Sequence, residues 1–115
     1  MKRDISRSAM SREERLLRSR ASWLLESAGL LHGNLLRRLV RCGKANCRCA
    51  RGQKHEAFVL VVRHDGKTTQ VPVPRRLEPM VRHWVEQEQE LSGLLRELSL
   101  LHTEKLQTEK ERKEE

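Results

Sequence analysis

All three cysteines of the chain lie close together, and a histidine follows them. The segment VRCGKANCRCARGQKH has the spacing C-x4-C-x-C-x5-H, which is formed by Cys42, Cys47, Cys49 and His55. Thiolate sulfur and imidazole nitrogen are the ligands that Zn²⁺ takes in tetrahedral structural sites. The pattern therefore predicts a structural zinc ion held by these four side chains, with His64 as the alternative fourth ligand.

A zinc ion with four protein ligands has no open position for water or substrate. No phosphate-binding loop, paired carboxylates or Ser-His-Asp arrangement accompanies the cysteines in the sequence. We therefore expect that the chain is not an enzyme. Thiol-based redox sensing is a further hypothesis, which requires an exposed, reactive cysteine beside a resolving one and no bound metal.

The segment around the cysteines is strongly basic. The chain has 24 Lys and Arg against 16 Asp and Glu, a net charge of +8, and residues 27–55 hold seven of the bases and no acid. Such a block is typical of proteins that bind DNA or RNA. Weak sequence preference is expected, because Phe58 is the only aromatic residue on the predicted strands. The predicted contact residues, expected on one contiguous face, are Arg37, Arg38, Arg41, Lys44, Arg48, Arg51 and Lys54.

The composition limits the size of the hydrophobic core. The 115 residues are 37% hydrophobic, with one Phe, two Trp and no Tyr. Such a chain is expected to need a metal, a partner chain or both to stabilise its fold. No apolar run is long enough for a membrane span, and no apolar stretch follows the basic N-terminus as in a secretory signal. We expect a small cytoplasmic protein that has no membrane contact.

Several elements are expected to position the basic and metal-binding residues. Ser11 and Glu14 form the Ser-x-x-Glu pattern of a capping box, which predicts a helix over residues 11–30 after a disordered segment, residues 1–10. Two β-branched runs flank an Asp-Gly turn and predict a hairpin with an edge strand. This hairpin belongs to a predicted basic, zinc-binding β module over residues 33–74.

A long C-terminal helix with a frayed end is predicted over residues 75–112. Its apolar residues step by four and three, the rhythm of a coiled-coil seam. Roughly 37 residues span about 55 Å, which is too long for a small domain to cover fully. The helix is expected to pack on the N-terminal helix or a partner, and we predict a homodimer or a helical protein partner through residues 77–106. The seam residues are Met80, Trp84, Gln87, Leu91, Leu94, Leu98 and Leu101.

The cysteine motif and the residues after it match a known pattern. The matching residues are Cys42, Gly43, Lys44, Cys47, Cys49, Ala50, Arg51, Gly52, His55, Gly66, Lys67, Thr68, Val73, Pro74 and Leu77. Through them the stretch from Gly33 to about Leu101 resembles a small prokaryotic domain of unknown function, often found near mobile genetic elements. The chain departs from the family pattern at residues 56–58, where Glu-Ala-Phe replaces Gly-Pro-Tyr.

The resemblance bears on one element and on the biological setting. Periodicity alone allows either a helix or a strand at residues 35–41, and the resemblance implies a strand. It also implies an accessory role for a transposable or other mobile element, but it assigns no activity.

These patterns predict an α+β protein with an N-terminal helix, a small zinc-stapled antiparallel three-stranded sheet and a long, coiled-coil-like C-terminal helix. The favoured function is that of a small zinc-binding, nucleic-acid-binding accessory protein. The alternative is a protein-interaction adaptor that uses the coiled-coil helix, with the zinc module purely structural.

Overall fold

The computed structural model describes residues 10–27, 29–40, 52 and 54–113. Of the predicted disordered segment, only Met10 is among them. Several of the predicted metal and nucleic-acid ligands lie outside the described residues. These are Arg41, Cys42, Lys44, Cys47, Arg48, Cys49 and Arg51.

The described chain has two α-helices and three β-strands. In chain order they are α1 (Arg12–Glu26), β1 (Asn34–Val40), β2 (His55–His64), β3 (Lys67–Val73) and, after a 3₁₀ turn at Arg75–Leu77, α2 (Glu78–Lys113). This order confirms the predicted α+β fold with a helix at each end of the sheet segment. No helix among the described residues is long and apolar enough to cross a membrane.

The strands form one antiparallel sheet in the order β1-β2-β3. Asp65 and Gly66 join β2 to β3 with φ angles of 51° and 76°, the positive values that a two-residue Asp-Gly hairpin turn requires. The predicted hairpin is confirmed, as is the strand that the resemblance implied for β1. Pro72 lies in β3, which is an edge strand. An edge strand tolerates proline because a residue there need not donate an N–H to a neighbouring strand.

One face of the sheet, here called the inner face, packs against the beginning of α2. Phe58, Leu60 and Val73 of the sheet are buried with Val81 and Val85 of the helix. Alternating residues of β2 therefore supply the apolar surface that α2 covers. Since Phe58 belongs to this core, it offers no exposed ring for stacking on bases.

The segment after α1 is bonded to the first turns of α2. Leu31 N donates to Trp84 O at 3.2 Å, and Gln87 Nε2 donates to Gly29 O at 2.9 Å. A Cβ atom on Gly29 would lie less than 3.0 Å from the Trp84 indole. This close approach explains why a glycine occupies the position.

Helix α1 is shorter than predicted and only half of its capping box forms. Ser11 Oγ accepts a hydrogen bond from Glu14 N at 3.1 Å, whereas Glu14 Oε2 accepts from Arg18 Nε at 2.8 Å. The helix ends at Glu26 instead of residue 30, and Ser27 caps it by donating from Oγ to Leu24 O at 2.6 Å. The sequence therefore predicted the beginning of α1 more accurately than its end.

Helix α1 and the C-terminal part of α2 form a compact unit of their own. Arg20 donates from Nε and Nη2 to Glu90 at 2.6 and 2.9 Å, and His102 Nε2 lies 3.2 Å from Glu14 Oε2. These two contacts require the helices to run antiparallel. Leu24 of α1 is fully buried.

This packing involves the C-terminal part of the seam that was predicted to pack on the N-terminal helix or a partner. Leu91 is buried, and Leu94, Leu98 and Leu101 are half-buried. Helix α1 thus gives this part of the seam an intramolecular neighbour, which is one of the outcomes expected from its spacing. The homodimer stays a prediction.

Acid is expected to weaken the packing of α1 on α2. Hydrogen bonds from Arg18 and then His102 hold the pKa of Glu14 below its ordinary value of about 4.5, and the bond from Arg20 lowers the pKa of Glu90. A carboxyl group whose pKa is lowered by folding stabilises the fold above its unfolded pKa, and the effect is lost as the pH falls through the folded value. We therefore expect helix stability to decrease below about pH 4.5.

Urea unfolding followed by helical circular dichroism at about pH 6 and about pH 3.5 measures this loss. The double variant Glu14→Gln with Glu90→Gln should lose less stability between the two pH values than the parent does. An equal loss in both proteins would contradict the assignment of the pH dependence to these two carboxylates.

Candidate metal and nucleic-acid site

The connection between β1 and β2 contains three of the predicted zinc ligands. Val40, the last residue of β1, pairs with His55, the first residue of β2. This pairing holds the two ends of the connection side by side. In sequence Cys42 follows Val40 by only two residues.

His64 lies at the opposite end of β2 from His55. The rise of about 3.3 Å per residue places the two ends of this strand about 30 Å apart. At the β2–β3 turn, His64 Nε2 lies 3.2 Å from Asp65 Oδ2. The strand therefore brings His55, and not His64, to the end of the sheet where the cysteine-containing connection begins.

Within the described part of the chain, no group of three or more His, Cys, Asp or Glu side chains is arranged to hold a metal ion. The predicted zinc site depends on Cys42, Cys47 and Cys49 together with His55. Three thiolates and an imidazole fit the ligand preference of Zn²⁺.

Adjacent arginines of β1 lie on opposite faces of the sheet. Arg37 is on the side of the inner face, where its Nη2 donates to Glu56 Oε1 at 3.3 Å. Arg38 is on the other side, where its Nη1 donates to Gln70 Oε1 of β3 at 3.4 Å. Arg37 and Arg38 therefore do not share the single basic face that was expected, because neighbouring side chains alternate along a strand. Lys54 is exposed and precedes β2.

The face opposite the core is basic and mixed in polarity. This outer face is defined by Leu36, Arg38, Val59, Val61, Arg63 and Gln70. Its two central valines are half-buried, and Leu36 is 40% exposed. No position of the three strands that points to this side is Asp or Glu.

Two members of the outer face were missed at the level of sequence. Arg63 and Gln70 are exposed and belong to the predicted hairpin, but they lie outside the acid-free segment that drew attention to the other bases. Alternation along the hairpin could have found Arg63, because it follows Val61 by two residues.

The entire net charge belongs to the sheet-containing part of the chain. Residues 29–87 hold twelve Lys and Arg against four Asp and Glu, a net charge of +8, and the remaining residues hold twelve of each sign. Three of the four acids, Glu56, Asp65 and Glu78, contact a basic side chain or histidine. The bases of this part that form no ion pair with a described residue are Arg38, Lys54, Arg63, Lys67, Arg75 and Arg76.

Comparison with known proteins gives a family match. A family model described as "Domain of unknown function (DUF6788)" matches residues 10–83. The matched region includes α1, the whole sheet and the first turns of α2. It begins and ends earlier than the stretch that carried the sequence resemblance. No curated protein and no solved structure matches the chain.

Proposed function

We propose, for a chain that belongs to the DUF6788 family of unknown function, that it is a small zinc-binding protein that binds nucleic acid. The observation that carries this proposal is the segregation of charge. All of the net charge of +8 belongs to residues 29–87, while the rest of the chain is neutral in sum. A local excess of this size attracts a polyanion, whereas dispersed charge only keeps a protein soluble.

Zinc has a structural part in this proposal. The pairing of Val40 with His55 closes the base of the connection that holds the cysteines. With Cys42 only two residues from that base, His55 is the histidine that completes the ligand set, and His64 is too far along β2. The bound ion would supply the folding free energy that a small core lacks.

Of the seven bases of residues 27–55, the five that follow β1 in sequence are the proposed contacts to phosphate. Each neutralised phosphate releases counterions, so affinity should fall steeply as salt is added. Arginine predominates among these bases, and its guanidinium forms bidentate contacts to phosphate. The accessory role for a mobile genetic element rests on the family resemblance alone.

The double variant Arg48→Ala with Arg51→Ala tests the nucleic-acid proposal. In protein shown to keep its zinc, we expect weaker binding of both duplex DNA and RNA. The slope of log affinity against log salt should decrease by about 2, because each lost phosphate contact removes about 0.9. Fluorescence anisotropy across a salt series measures both quantities.

The matched control is Lys110→Ala with Arg112→Ala. It removes the same charge from the far end of α2, where acidic residues balance the basic ones. This control should keep the affinity and salt slope of the parent. If the Arg48 and Arg51 variant also keeps them, or the parent binds no nucleic acid, the proposal fails.

The second candidate function is a protein-interaction adaptor. Large apolar side chains remain exposed on both helices, among them Trp23 (57%), Leu100 (64%) and Leu106 (62%). Leu106 lies beyond the contact of His102 with α1, and a homodimer or another helical protein would cover such residues. This function takes the place of the first if nucleic-acid binding fails.

A further inference from the structure

The outer face has the dimensions of an element that enters a DNA groove. It consists of three antiparallel strands, and neighbouring strands lie about 4.8 Å apart. The axes of β1 and β3 are therefore separated by about 10 Å. The major groove of B-form DNA is about 12 Å wide and the minor groove is about 6 Å wide. Of the two grooves, only the major groove is wider than this separation, and it is the groove that admits β-strands.

Its side chains have the chemistry of base-edge recognition. Arg38, Arg63 and Gln70 are exposed on this face. Arginine pairs with the O6 and N7 atoms of guanine, and glutamine pairs with N6 and N7 of adenine. Leu36 and Val59 offer apolar contact to the methyl group of thymine.

Arg38 and Gln70 are already joined across the sheet. Arg38 Nη1 donates to Gln70 Oε1 at 3.4 Å, a contact that links the two edge strands over the central β2. The bond is long and both side chains are exposed. It orders the two groups across the middle of the outer face, and it is weak enough to be exchanged for bonds to a base.

Two features of this face disfavour other nucleic acids. It carries no Phe, Tyr or Trp side chain, and single strands are bound chiefly by stacking bases on aromatic rings. Duplex RNA has a deep, narrow major groove that protein side chains do not enter, and its wide minor groove is recognised mainly through shape and 2′-hydroxyl contacts and not through base edges.

We infer that the outer face is a docking surface for duplex DNA and enters its major groove, with Arg38, Arg63 and Gln70 toward the bases. This inference rests on the proposed function and specifies its ligand.

Anisotropy titrations of duplex DNA, duplex RNA and single-stranded DNA of one sequence test the inference. We expect the parent to bind duplex DNA at least about tenfold more tightly than duplex RNA. The double variant Arg38→Ala with Arg63→Ala should lose about tenfold or more of its affinity for duplex DNA.

The matched control removes the same charge from the other side of the sheet. This control is Lys67→Ala with Arg82→Ala. Lys67 lies on the inner-face side of β3, and Arg82 lies on α2, which covers that side. This double variant should bind duplex DNA within about threefold of the parent. Zinc content and helical circular dichroism confirm that each variant is folded.

Competition on the parent protein gives a second, independent measurement. Methyl green, which occupies the major groove, should displace the protein, and netropsin, which occupies the minor groove, should not. Displacement by netropsin alone would overturn the inference. Equal affinity for duplex DNA and RNA, or an Arg38 and Arg63 variant that binds like the parent, would overturn it and leave the proposed function standing. A parent that binds no nucleic acid would overturn both.

Discussion

Purified protein is expected to contain one zinc ion per chain, and Cys47→Ser is expected to lose that ion together with cooperative unfolding. The reason is the small core, in which Phe58, Leu60 and Val73 are the buried side chains of the described sheet. Zinc binding contributes about 10–16 kcal/mol of apparent folding free energy in small zinc-finger peptides. Removing one thiolate should cost a large part of such a contribution. Elemental mass spectrometry and thermal melts measure the two effects.

Two histidines of β2 provide a matched pair for this experiment. His55→Ala should release zinc as Cys47→Ser does, whereas His64→Ala should keep it, because it lies about 30 Å away at the other end of the strand. Loss of zinc from the His64 variant would contradict the assignment of His55. A metal-free protein that still melts cooperatively in excess chelator would contradict the structural zinc itself.

Leu24→Ala is expected to have the second largest effect, a loss of about 2–5 kcal/mol in the free energy of unfolding. Leu24 of α1 is fully buried, so truncation removes apolar contacts and leaves a cavity. Urea unfolding followed by the helical signal measures the change.

The neighbouring residue is the natural control for this truncation. Leu25 has the same side chain in the same helix but is 62% exposed, so Leu25→Ala should change stability by about 0.5 kcal/mol or less. Comparable losses in the two variants would show that α1 does not pack through Leu24.

Elements with local causes were predictable from the sequence. The turn at Asp65 and Gly66 depends only on the backbone freedom of those two residues, and the N-terminus of α1 depends on Ser11 and its neighbours. The end of α1 was not predictable. It is followed by the contact between Gly29 and Trp84, and no local pattern shows which distant indole a glycine will meet.

The long helix illustrates a different limit. Val81 and Val85 stand among the residues of the predicted seam in sequence, but they pack against the sheet, while Leu91 of the seam is buried farther along the helix. A helical pattern shows which residues are apolar, and the partner of each stripe depends on the rest of the fold.

The candidate site was predictable in composition and only partly in arrangement. The cysteine spacing and the lack of acidic residues can be read directly from the sequence. The preference for His55 over His64 required knowledge of the length and pairing of β2. The separation of Arg37 from Arg38 follows from strand alternation once β1 is known to be a strand. Gln70 became a candidate only when β3 was placed in register beside β2.

The alternation along β1 also constrains how genes for such chains can change. Adding or deleting one codon within Asn34–Val40 would exchange the two faces of every residue beyond the change. After a deletion before it, Arg38 would lie on the inner-face side, and Leu39 would take its place on the outer face. Changes of two codons preserve the alternation, so length differences inside this strand should be inherited in even steps.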